Sequence, residues 1–408
     1  MRVLLVAIPE PGHLNALIGV AQHLTANGHE IAFFTHDDIT PRLVRAQIEC
    51  PAFFISQKPP PRIAGPRTRA LGRILNDPAW RTKWFYYLMF GKLDAQIKRL
   101  REVIEEFRPD VISVDPMAYA GVIAAEQLGI PWAAVSPLLS SLAPPGWDCP
   151  MFEALRELES VRAQAFAKHG VEATFRAGDA ISPWLNVVFT TEAFIPRELS
   201  GNLHATHVGP SRPRGRRGDE PDFPWDRLTD APLIYMAYGA GAQLSFDSQL
   251  FTTIAEATQT LGAQVVMSLG DLASEPFARD LPAHVVTVPF APQRALLARA
   301  TAMVGHGGAN SVMESLDAGR PSLILPLTHE QPLQGRFLEA AGAGFHVAPA
   351  ELTPVNALDL LGRLLAASSS QRARAAEISE SYAARDGAIT TSELLVQLAK
   401  SRAPIPVT

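Results

Sequence analysis

The chain has 408 residues, of which 47% are hydrophobic and 19% charged. That is long for one domain and comfortable for two with cores of ordinary size. A formal charge of -5 argues against nucleic acid as the main partner. Two cysteines, Cys50 and Cys149, provide neither a disulfide framework nor a metal cluster, so a cytoplasmic location is expected.

The N-terminus, MRVLLVAIPEPGH, reads as a buried first strand followed by a loop, rather than as a cleaved leader. No apolar run of about 18 residues is present, so no transmembrane segment is expected. After Val3–Ile8 comes an amphipathic helix with Leu14, Leu17, Ile18, Ala21 and Leu24 on one face, closed by Gly28. The runs IAFFTH, Val111–Asp115, Trp132–Ser136 and Val187–Glu192 are apolar without alternation, the pattern of parallel strands buried on both faces. Two further segments, Ala79–Leu93 and Ser136–Phe152, are apolar for connections; the first is expected to be a helix.

The stretch Gly209–Trp225 is rich in Pro, Gly and charge and reads as a linker. Its Arg212, Arg214, Arg216 and Arg217 lie among Asp219, Glu220 and Asp222, which favours a solvated connection over an anion site. A second strand–helix series follows: Leu233–Gly239, QVVMSLG, VVTVPF, AMVGHGG and PSLILPL. The fold class expected is therefore α/β, with two doubly wound, Rossmann-like halves. The tail after Thr390 reads as a helix.

Chemistry concentrates between Phe290 and Gln331. There FAPQ precedes HGGANSVMESLDAGRPSLILPLTHEQ. A strand end, a glycine pair that includes Gly308, and a helix start place His306, Asn310 and Ser311 around a helix N-terminus. Free backbone N–H groups and the helix dipole suit a diphosphate there. Glu314, three residues beyond Ser311, is within reach of a ribose diol. The strand PSLILPL then delivers Thr328, His329, Glu330 and Gln331 at the end where open α/β sheets bind ligands.

This stretch resembles the nucleotide-sugar signature of the family 1 glycosyltransferases with the GT-B fold, and is similar to that of the bacterial natural-product and macrolide glucosyltransferases. Asn310, Glu314, Gly319, Pro321, Pro326, Glu330 and Gln331 all fall at the family's offsets from His306. The resemblance implies an N-terminal acceptor-binding domain over 1–210, a linker over 211–224 and a nucleotide-sugar-binding domain over 225–385. It also implies that the helix within 386–408 crosses back to the first domain. Phe290 stands where the family usually has Trp stacked on uracil, and Gln293 is expected at the base or ribose. Glu330 and Gln331 are expected on the sugar hydroxyls, which tilts the donor towards UDP-glucose, with a TDP-deoxysugar as the alternative. The family's hydroxyls after the first strand of this domain are replaced by Ala237 and Ala240, leaving the Gly239 and Gly241 backbone to approach the diphosphate.

The resemblance places a general base on the loop after the first strand, which here is His13. A helix N-terminus disfavours protonation, so a neutral imidazole is expected there. Asp115 ends the strand VISVD at the same sheet edge and is expected to orient His13, although Asp followed by Pro116 also reads as a helix cap. Trp84, Tyr87, Leu88 and Trp147 are expected to line a pocket for a hydrophobic small-molecule acceptor. No cofactor and no metal are expected beyond the nucleotide-sugar co-substrate; the donor half has no Asp-x-Asp pair. The reaction implied is an inverting hexosyl transfer. A non-catalytic auxiliary partner of another glycosyltransferase is a second reading. A dinucleotide redox enzyme is a third, although it lacks the last glycine of the usual fingerprint.

Overall fold

The computed structural model describes residues 1–56, 77–200, 204–238 and 248–407. The predicted contacts Gly239 and Gly241, together with Ala240, lie outside the described residues.

The first half is built on a parallel sheet of seven strands in the order β3-β2-β1-β4-β5-β8-β9. Here β1 is Arg2–Val6, β2 Glu30–Thr35, β3 Ala52–Phe54, β4 Val111–Val114, β5 Trp132–Ser136, β8 Leu185–Val188 and β9 Thr206–His207. Strands β6 (Thr174–Arg176) and β7 (Asp179–Ile181) form a separate antiparallel hairpin. The second sheet has six parallel strands in the order β12-β11-β10-β13-β14-β15. They are β10 Leu233–Ala237, β11 Gln264–Ser268, β12 Val285–Val288, β13 Ala302–Gly305, β14 Ser322–Ile324 and β15 Gly344–His346. The central strands are buried along their whole length in β4, β5, β10, β11 and β13. This explains why the sequence shows apolar runs instead of alternation.

Each sheet reverses its strand order at one place. In the first sheet that place lies between β1 and β4, where Val6 pairs with Val114. In the second it lies between β10 and β13, where Ala237 pairs with Gly305. Chains leaving two such strands diverge to opposite faces and open a crevice, the usual ligand position in open α/β sheets. His13 and Asp115 follow the first pair; Ala237 and His306 belong to the second.

Helix α1, Pro11–Ala26, carries Leu14, Leu17, Ile18, Ala21 and Leu24 buried against the first sheet. It is covered by helix Gly387–Ser401, whose Ala388, Leu395 and Leu398 join the same core. Ser392 Oγ donates to the Val20 carbonyl at 3.2 Å, and the Gly387 amide donates to the Pro210 carbonyl at 2.9 Å. Helix Pro78–Phe90 starts at Asp77, whose side chain accepts from the Ala79 amide. The stretch after β5 forms a short turn at Ser140–Leu142 and then helix Pro150–Glu157.

The linker departs from the solvated connection expected of it. Arg212 binds both oxygens of Asp317 and the carbonyl of Tyr382, and Arg217 is only 8% exposed. Gln22 of α1 accepts from the Arg214 amide and donates to the Arg216 carbonyl, while Arg45 donates to the Gly218 carbonyl. The alternating acids next to the arginines satisfy them by folding back: Arg217 Nε donates to Asp219 at 2.8 Å. The connection is therefore a folded strap in which Arg217 is buried and Arg212 is engaged, while Arg214 and Arg216 are exposed as expected.

Candidate active site

His13 is the third residue of α1, and its Nδ1 lies 2.6 Å from Asp115 Oδ2. Asp115 is 1% exposed. Its other oxygen accepts from the Met117 amide at 3.0 Å, so one carboxylate closes its own turn and holds the imidazole. The following helix begins only at Tyr119, with Ala118 as its cap, so Asp115 is not the helix cap.

Burial on its own would lower the His13 pKa. The Asp115 carboxylate outweighs it, with Glu10 and Glu330 adding to the effect, and the imidazole is pushed up to about 9. The neutral ring expected from the helix N-terminus is therefore not what the structure holds: the paired carboxylate dominates the dipole. Glu330 feels His13 in return; burial raises its pKa and His13 partly offsets this. Glu10, on the loop before His13, lies 3.8 Å from His36.

On the other side of the cleft, His306 Nδ1 donates to the Ala237 carbonyl at 3.1 Å. Burial keeps its pKa below the ordinary histidine value, which that hydrogen bond only partly offsets. Gly307 (φ +89°) would place a Cβ 2.8 Å from the Gln331 carbonyl, and a Cβ on Gly308 would meet His306 Nε2 at 2.8 Å. The glycine pair is thus required by the tight crossing of this loop over the imidazole and the Gln331 backbone. Helix Ala309–Asp317 then starts at Gly308 with no side-chain cap.

Several predicted donor contacts are engaged within the protein. Asn310 lies at the start of its helix as expected, but its side chain reaches across the cleft and donates to the Gly12 carbonyl at 2.8 Å, next to His13. Gln293 Nε2 donates to Glu314 Oε2 at 2.8 Å and to Ser311 Oγ at 3.3 Å. Glu314 also receives Arg217 Nη1. Gln331 is nearly buried, and its oxygen accepts from the Leu327 and Thr328 amides, which leaves only its amide nitrogen for a ligand. Phe290 is 53% exposed, an uncovered ring just before helix Gln293–Arg299.

The acceptor-side residues divide. Trp84 lies 5.0 Å from the His329 ring, and Phe85 lies 5.3 Å from it, so helix Pro78–Phe90 touches the loop that carries Glu330. His329 takes a left-handed conformation (φ +56°), and burial with nearby Arg81 brings its pKa down to about 4. It faces these aromatics as a neutral ring. Tyr87 and Leu88 are half-buried on the same helix. Trp147 is used differently from the expectation: it packs on Phe337 at 4.9 Å and under the Arg336 guanidinium at 4.3 Å, where it braces the two halves.

Sequence reasoning missed Glu10, His36, Asp179 and Arg217. Glu10 carried a usable signal, standing three residues before His13 on one loop. Asp179 carried none: it comes from the β6–β7 hairpin to accept from Ser140 at 3.0 Å and Ser136 at 3.3 Å. There burial first, and Asp115 second, push it up to about 7.

Residues 225–398 match the family described as erythromycin biosynthesis protein CIII-like, C-terminal domain. The chain is 25% identical over 358 residues to NDP-glycosyltransferase YjiC of Bacillus subtilis, covering 86% of each. It is 24% identical to zeaxanthin glucosyltransferase of Pantoea ananas, covering 98% of this chain and 96% of that one. The solved structure of glycosyltransferase VinC in complex with DTDP superposes with a TM-score of 0.70 at 23% identity, covering 98% of this chain and all of that chain (100%). The chain is a glycosyltransferase of the GT-B fold. It resembles the family 1 enzymes of bacterial natural-product biosynthesis, a family whose transferases are inverting and metal-independent.

Proposed function

We propose that the protein transfers a hexose from a nucleotide-sugar to a hydroxyl of a hydrophobic small-molecule natural product, with His13 as general base and UDP-glucose as donor. The observation that carries this reading is the His13–Asp115 pair at 2.6 Å, at the first switch point and within electrostatic reach of Glu330 from the sugar motif. With Nδ1–H held by Asp115, Nε2 of the neutral ring, the form reached as pH rises towards 9, is the atom that takes the acceptor proton. Asp115 then stabilises the imidazolium formed.

The deprotonated acceptor oxygen attacks the anomeric carbon opposite the diphosphate. Its lone pair forms the new C–O bond as the electrons of the sugar–phosphate bond leave with the nucleoside diphosphate, and the acceptor proton stays on His13. Helix Ala309–Asp317 presents unbonded N–H groups to the growing negative charge. The exposed Phe290 ring is suited to stack on the base, and Glu314 and Gln293 to meet the ribose. Glu330, with the Gln331 amide, suits sugar hydroxyls, and the similarity to zeaxanthin glucosyltransferase supports a glucosyl donor. Trp84, Tyr87 and Leu88 offer the apolar wall for an acceptor.

The second reading, a TDP-deoxysugar donor, is favoured by one observation: Arg217 already occupies Glu314, which a nucleotide without a 2′-hydroxyl tolerates. Incubation with UDP-glucose and a simple phenol tests the proposal. A β-glucoside, read from its anomeric proton coupling, is expected. An α-glucoside would exclude single displacement, and no product with any nucleotide-sugar, despite UDP binding, would favour the auxiliary-partner reading. Protection against thermal unfolding by NAD instead of UDP would point to a redox enzyme.

A further inference from the structure

Arg217 comes from the linker, yet its side chain ends on the donor helix. Nε donates to Asp219 at 2.8 and 3.1 Å, and Nη1 donates to Glu314 Oε1. Asp219 is held in turn by Arg42 at 3.1 Å and by Asn15 at 3.3 Å. The segment around Arg217 is fixed as well: Glu220 accepts from the Arg217 and Gly218 amides at 2.7 and 2.9 Å. The second oxygen of Glu314 accepts from Gln293 at 2.8 Å. Both oxygens of the proposed ribose carboxylate therefore already have a donor, and its charge is paired with a guanidinium.

A ribose diol binds a carboxylate best through both hydroxyls at once, one to each oxygen. That grip competes with Arg217 on one oxygen and with Gln293 on the other. Withdrawing Arg217 would strand a nearly buried cation on Asp219 alone, and a desolvated guanidinium holds such a partner firmly. One hydroxyl can be accommodated on the remaining lone pairs; a symmetric two-point grip cannot form without breaking the existing bonds.

We propose that Arg217 is a specificity-determining residue that makes the ribose subsite indifferent to the 2′-hydroxyl of the donor nucleotide. The proposal rests on the donor-site reading above. It admits ribonucleotide and 2′-deoxyribonucleotide donors alike, and it assigns their discrimination to a linker residue instead of to the donor motif.

The test uses UDP and 2′-deoxy-UDP, which differ only in that hydroxyl, titrated calorimetrically against the full-length protein. Wild type is expected to bind the two within about threefold of each other. Arg217→Ala frees the Glu314 oxygen that Gln293 does not hold, leaving only a neutral amide for the ribose diol to displace, and is expected to favour UDP by roughly tenfold. Arg217→Lys, whose single ammonium cannot fork between Asp219 and Glu314, is expected to shift the ratio in the same direction and serves if the alanine variant does not fold. A wild-type preference for UDP of tenfold or more, or a ratio unchanged in the variants, overturns the assignment. Failure of both nucleotides to bind wild type would instead sink the donor-site reading itself.

Discussion

His13 and His306 occupy corresponding places in the two halves, each following a central strand at the point where its sheet reverses order, and they differ in charge. His13 donates Nδ1–H to a carboxylate and is held protonated, up to about 9. His306 donates Nδ1–H to the Ala237 carbonyl and is kept neutral by burial. Topology supplies the position, and the partner on Nδ1 decides the chemistry. A neutral His306 bonded this way turns a lone pair, not a proton, towards a diphosphate. Positive potential for a diphosphate at this place would therefore come from the helix N-terminus behind it.

The comparison breaks most sharply at His13. His13→Ala should lower turnover by a factor on the order of 100 or more while leaving UDP affinity nearly intact, because the base acts on the acceptor. Asp115→Asn should lose somewhat less. Wild-type turnover in the alanine variant, measured with saturating donor, would remove His13 from the mechanism.

His306→Ala should weaken donor use and turnover together, by roughly tenfold, because it removes the hydrogen bond to the Ala237 carbonyl that fixes the loop leading into helix Ala309–Asp317. If donor affinity is untouched and only turnover falls, the neutral histidine is not part of the diphosphate site.

The charge difference itself can be titrated. The base must be neutral to act, so kcat/KM should rise about tenfold per pH unit at neutral pH and level off near pH 9. The sign for stability is opposite. A histidine whose folded pKa exceeds its unfolded value of 6.5 adds stability that is fully present below that value and is lost as pH rises through about 9. The thermal midpoint should therefore decline over the same interval in which activity climbs, and in His13→Ala that decline should be reduced. A profile flat from pH 6 to pH 9 would contradict the pairing. The smallest effect expected is none: excess EDTA should leave the rate unchanged, and activity lost to the chelator and restored by Mg²⁺ would mean that the phosphate site has been misread.

The sequence made the sheets legible because parallel strands buried on both faces are continuous apolar runs, as in LIYMA and WAAVS. It missed β3, β9, β15 and the β6–β7 hairpin, strands of two or three residues each, too short to show periodicity. His13 and Asp115 were readable as a pair because the resemblance places a base after the first strand and Asp115 ends a strand at the same sheet edge. Their protonation was not, because the sequence names Asp115 as the partner but shows neither the 2.6 Å approach nor the burial that let the carboxylate outweigh the helix dipole. The engagement of Asn310, Glu314 and Gln293 was hidden for a similar reason: motif spacing states where a side chain starts, not which neighbour reaches it first. Arg217 shows the limit most clearly, since composition made its segment look solvated and tertiary packing buried it.

Helix Gly387–Ser401 completes the core of the half made first. During synthesis, the face of α1 that meets Ala388, Leu395 and Leu398 emerges from the ribosome more than 300 residues before its cover. The first half must wait, with that apolar face open, while the whole second half is translated and folds. Translation arrest before residue 387, or proteolytic loss of this helix, would leave a sheet of normal topology with an adhesive surface. Such a product should aggregate through the first half, even though the missing segment carries none of the residues assigned to the chemistry.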